Sequence, residues 1–93
     1  MATYLVSYDL DKPGAQNYDK LEEWLRNSDA QQVLSSLWIL KTSEIEANLQ
    51  RLVLDDLVGP AESVLVLRLV GPTFGFWNRL MVPDTDFKYF LNG

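Results

Sequence analysis

Ninety-three residues, 47% of them hydrophobic, suit one small domain that buries about two-thirds of its unfolded surface and has little core to spare. The chain has neither cysteine nor histidine, which excludes disulfides, thiolate or imidazole metal sites and every His-based triad; hydrolytic chemistry would fall to carboxylates, Lys, Tyr or Ser with a hard cation on oxygen ligands. A net charge of −5 opposes a broadly basic nucleic-acid surface but leaves a local one open, and no apolar run approaches the roughly 18 residues of a membrane span.

The first stretch, Thr3 to Asp11, reads as a strand with Tyr4, Val6, Tyr8 and Leu10 on one face and Leu5, Ser7 and Asp9 on the other. It delivers Asp9 to its far end, and a carboxylate there must be solvated, paired or bound to a cation. A polar loop over 10–16, marked by Pro13 and Gly14, follows. Asn17 is placed to cap a helix from Tyr18 to about Asn27, whose apolar side carries Tyr18, Leu21, Trp24 and Leu25.

Residues 30–42 are rich in β-formers and too long for one ordinary amphipathic strand. They are expected to form two antiparallel strands, about 31–35 and 37–42, turned at Ser35-Ser36; the alternative is one long bulged strand. Ser43-Glu44-Ile45-Glu46 has the pattern of a capping box, and the helix after it puts Ile45, Leu49, Leu52, Val53 and Leu57 on one stripe before stopping at Gly59-Pro60. The strand over 63–70 is apolar on both faces apart from Arg68, so it needs cover on both sides. Two helices cover only one face of such a sheet, and a second subunit is the economical cover for the other. The tail, 73–93, holds Phe74-Gly75-Phe76-Trp77, a turn at Pro83-Asp84-Thr85-Asp86, and Phe87-Lys88-Tyr89-Phe90-Leu91, which reads as a closing strand or short extension.

The order β-α-β-β-α-β is the ferredoxin-like plan: an α+β sandwich, an antiparallel sheet with two helices on one face. The expectation is a single domain over 1–93, with 73–93 as an aromatic C-terminal extension packing on the core or on a partner subunit. The fold by itself carries little functional weight.

The residues add a resemblance. VSYDLD at 6–11, with Gln31, Val33, Ser36 and Trp38 in the form Q-x-V-x-x-S-x-aromatic, resembles the CRISPR-associated Cas-two family and its VapD-like relatives over roughly residues 3–70. The resemblance implies a homodimer formed through the open sheet face, with the C-terminal strand adding to the partner's sheet. It implies that Asp9 approaches its twofold mate and binds a divalent cation, Mg²⁺ or Mn²⁺, as the catalytic residue of a metal-dependent nuclease acting on DNA or RNA. It equally implies a non-catalytic scaffold that holds DNA beside an integrase-type partner in antiviral defence. Where family members usually carry basic residues after Tyr-Asp, this chain offers only Lys12, and the aromatic Trp38 is followed by Ile39-Leu40 rather than an acidic residue.

Physical chemistry supports the cation reading through symmetry, since a twofold axis turns one carboxylate into a pair, and Mg²⁺ relieves the repulsion of such a pair. The bland alternative is that Asp9 accepts loop amides or an arginine. Lys12, Ser36 and Arg68 are the candidate nucleic-acid or partner contacts; serines at a bend also satisfy local backbone, and a lone charge in an apolar strand is often a paired structural feature. Asp11, before Lys-Pro-Gly, reads as a turn residue. Phe74-Gly75-Phe76 resembles the aromatic motif of RNA-recognition domains but follows the last core strand, where that motif does not belong. The expectation is therefore a cytoplasmic, nucleic-acid-linked dimer without a membrane segment. A non-enzymatic dimeric protein-interaction module is the alternative.

Overall fold

In the computed structural model, which describes residues 1–9, 18–60, 62–71 and 75–92, the central strand is β1 (Ala2–Tyr8). Its alternation places Tyr4, Val6 and Tyr8 on a buried face and leaves Leu5 and Ser7 half-buried on the other. The sheet has four strands in the order β2-β3-β1-β4, every neighbouring pair antiparallel. The molecule is thus a small α+β structure. No helix among the described residues is long and apolar enough to cross a membrane.

Helix α1 (Asp19–Asn27) lays Leu21 and Leu25 on the face of Val6, Tyr8, Trp38 and Leu40. Tyr18, at the position before the first turn, makes no side-chain cap bond, and the expected cap Asn17 lies outside the described residues. The helix ends in a Schellman turn: Ala30 N–H donates to Leu25 C=O (3.0 Å) and Asp29 N–H to Arg26 C=O (3.2 Å), with Asp29 left-handed at φ 60°. Ala30 then packs in the cluster that holds Leu25.

The expected hairpin is present as β2 (Gln31–Leu34) and β3 (Leu37–Thr42), with the turn at Ser35-Ser36 and a bulge between Gln32 and Leu34. Helix α2 (Glu46–Arg51) starts later than the capping box predicts. Ile45, 62% exposed, takes the cap position without a side-chain bond, Glu44 N–H is taken by Thr42 Oγ1 (3.1 Å), and the Glu46 carboxylate is drawn off to Arg68. From Leu52 to Leu57 the helix continues with π geometry, Val58 N–H donating to Val53 C=O at 3.1 Å. Leu49 and Val53 are buried against Tyr4, with Leu57 and Val58 packed at the edge of that cluster.

Strand β4 (Val64–Leu69) pairs with β1 and ends the sheet. The tail differs from the expected closing strand. After β4 the described residues hold a third helix, α3 (Asp84–Asn92), on the β3 side of the second sheet face. Lys41 Nζ donates to Tyr89 C=O (3.2 Å) and lies 4.0 Å from the Tyr89 ring centre, and Thr3 Oγ1 donates to Phe90 C=O (3.3 Å). Met81 N–H meets Val33 C=O on β2 at 3.0 Å. Half of the second face is therefore closed by the chain itself, and Ile39 and Val33 are fully buried. Among the described residues nothing closes the other half: Leu65 and Leu67 on β4 are 55% and 50% exposed.

Candidate functional site

The end of β1 carries Asp9, the first residue past the strand, with an exposed side chain. Its backbone is held: Asp9 N–H donates to Ser63 C=O at 3.3 Å, while Tyr8 N–H donates to Ser36 C=O at 3.1 Å. Asp9, Ser36 and Ser63 thus meet at one end of the sheet because three chain segments must share the strand-end hydrogen bonds there. A shallow depression of ≈ 290 Å³ lies beside them, lined by Ser7, Tyr8, Asp9, Ser63, Val64 and Leu65.

Arg68 is not part of this end. It pairs with Tyr4 across the sheet and holds Glu46 Oε1 at 2.5 Å. Five residues separate it from Ser63, about 17 Å along a strand. Lys12 and Asp11 lie outside the described residues. Among the described residues no group of three or more Asp or Glu side chains gathers in a form that could hold a metal ion. Among the described residues the strand end offers a cation the Asp9 carboxylate.

Behind Asp9 lies a polar arrangement that strand alternation alone did not reveal. The Tyr8 hydroxyl accepts from Trp38 Nε1–H at 2.9 Å and donates to Glu22 Oε2 at 2.5 Å. Burial, and then the bond to Glu22, push the Tyr8 hydroxyl up to about 12, while Trp38 and Arg26 pull the other way. Arg26 lies 3.9 Å from Glu22 and 5.8 Å from the Trp38 ring centre. Tyr18 stacks on Tyr8 at 4.6 Å, and its hydroxyl accepts from Ser63 N–H (3.1 Å) and donates to Ser63 C=O (3.2 Å). A signal was present in the sequence: Tyr8 and Trp38 are aromatic residues with polar tips, and such tips find partners when buried. This network ties β1, α1, β3 and the start of β4 together. It holds the strand end in place.

Comparison with known protein families, with curated proteins and with solved structures returns no match for this chain.

Proposed function

We propose that the chain is a non-enzymatic, homodimeric protein-interaction module of the cytoplasm, a one-domain ferredoxin-like sandwich that works through the uncovered half of its sheet. The observation that carries this reading is the pair Leu65 and Leu67, half-exposed on the edge strand beside the half-buried Leu5 and Leu69. Scattered surface leucines are ordinary, but neighbouring ones on an edge strand invite association unless another chain covers them. Sedimentation equilibrium tests it: the wild type runs as a dimer, and Leu67→Glu, which puts a charge into that surface, runs as a monomer. A wild type that stays monomeric to millimolar concentration would sink the reading.

The second reading is the Cas-two-like one, a divalent-metal-dependent nuclease or an adaptation scaffold beside an integrase-type protein. Its support is that Asp9 and Leu65 line the same depression, so a dimer stacked face to face over this half could bring two Asp9 carboxylates near one axis. Labelled RNA and duplex DNA with Mg²⁺ or Mn²⁺ give the test. Metal-dependent cleavage by the wild type, lost in a folded Asp9→Ala variant, is its expected outcome. No cleavage by either protein leaves the nuclease arm without support.

A further inference from the structure

Resting on the dimer reading, we infer that the second copy joins edge to edge through β4, antiparallel and centred on Val66, to make one continuous eight-stranded sheet. The hydrogen-bond ladder determines which backbone groups can be used. Tyr8 N–H donates to Ser36 and Asp9 N–H to Ser63, so even-numbered residues of β1 bond toward β3 and odd-numbered ones toward β4. With Thr3, Leu5 and Ser7 in register with Leu69, Leu67 and Leu65, those three leucines spend their N–H and C=O groups on β1. The backbone groups of Val64, Val66 and Arg68 therefore point outward. No strand among the described residues pairs with that edge, whereas at the opposite edge Met81 already bonds Val33.

A twofold axis through Val66 matches every one of these outward groups. Val66 faces its own counterpart, and Val64 faces Arg68 of the second copy twice over. On the uncovered face the same register sets Leu65 beside Leu67 of the second copy, again twice, so the half-exposed leucines gain cross-strand contact in one apolar row whose outer side stays open. A twofold centred on Leu67 would instead ask Val64 to pair with Val70, beyond the strand's end at Leu69. The one charge on the strand enters the seam already paired, since Glu46 holds the Arg68 guanidinium on its own chain. The seam also keeps the two Asp9 residues about 20 Å apart along the strand direction, because Ser63, opposite Asp9, lies three residues from the axis. An edge-joined dimer and a cation shared by two Asp9 carboxylates are thus mutually exclusive.

Two variants test the seam. Val66→Pro removes an outward donor at the axis while leaving the β1 ladder whole, and proline is tolerated where an edge N–H faces away from the sheet. Lost twice by symmetry, that bond should weaken dimerisation about thirtyfold or more in sedimentation. Val66→Cys introduces the chain's sole thiol and keeps the donor, so it reports independently should the proline variant fail to fold. Residues facing each other in a hydrogen-bonded pair lie about 5.5 Å apart at Cα, within disulfide reach. Mild oxidation should therefore yield a covalent dimer from Val66→Cys and none from Leu5→Cys, which sits a strand further in. A dimer that survives Val66→Pro and cross-links through Leu5→Cys instead overturns the seam alone. A wild type that never dimerises overturns the seam and the reading beneath it.

Discussion

At the residue scale Tyr8 joins more of the structure than any charged group does. Its hydroxyl is the acceptor for the buried Trp38 N–H and the donor to Glu22, so Tyr8→Phe leaves a buried indole donor without its partner. Such a loss costs about 1–3 kcal/mol, to be read as a lower midpoint in urea unfolding at pH 7. The same group sets a pH limit. Its folded pKa is raised to about 12 from 10.0, chiefly by burial, so the folded state keeps a proton that the unfolded state gives up as pH climbs through 10. Stability from this group is therefore constant below about pH 10 and falls between 10 and 12. Tyr8→Phe should shrink the alkaline loss relative to wild type across that window. An identical alkaline slope in the two proteins would contradict this account of Tyr8.

At the element scale the end of α1 offers a clean test. Asp29 sits at φ 60° in the C′ position of the Schellman turn, where a side chain's Cβ is crowded and glycine is not. Asp29→Gly should stabilise the protein by about 0.5–1 kcal/mol, and Asp29→Ala should not, both measured by thermal unfolding. The β character of 30–42 was legible from its β-formers, but the choice between a hairpin and one bulged strand was not, because neither Gly nor Pro marks the turn at Ser35-Ser36; the structure has the hairpin, with a bulge between Gln32 and Leu34. The tail forms the extension on the core rather than the closing strand, for a physical reason. Phe87, Tyr89 and Leu91 alternate, but Phe87, Phe90 and Leu91 also stand at helical spacing, and those three are the half-buried ones while Tyr89 is 67% exposed. Asp84 and Asp86 after Pro83 have turn composition but form the acidic first turn of α3. The capping box failed because Glu46 has a competing cation in Arg68, a contact 22 positions away that no local pattern encodes. The π geometry over 52–57 is equally invisible, since Leu52, Val53 and Leu57 suit an α stripe, and only Val58 joining the packed set betrays the wider turn.

At the scale of the whole molecule the two-sided apolar pattern of 63–70 implies one sheet face without helical cover, and α3 closes half of that face. What remains lies on β4, and the site residues divide accordingly: Asp9 and Ser36 share one strand end, while Arg68 is tied to α2 some distance away. The carboxylate pair inferred from the Tyr-Asp resemblance needs a second copy in a particular orientation, which a single chain's sequence cannot encode legibly, because symmetry operators leave no local pattern. The proposed association has a thermodynamic signature of its own. A partner that binds only the folded chain raises apparent stability by mass action, and for a dimer unfolding to two chains each tenfold rise in concentration adds about 0.7 kcal/mol per chain. For a domain of this size that corresponds to a rise in melting temperature of about 3–5 °C per decade of concentration. The wild type should show this slope, and Leu67→Glu should melt at one temperature from micromolar to millimolar protein. A flat wild-type response would mean that the leucines of β4 face water in solution, and the working surface of this chain would have to be sought at the Asp9 end instead.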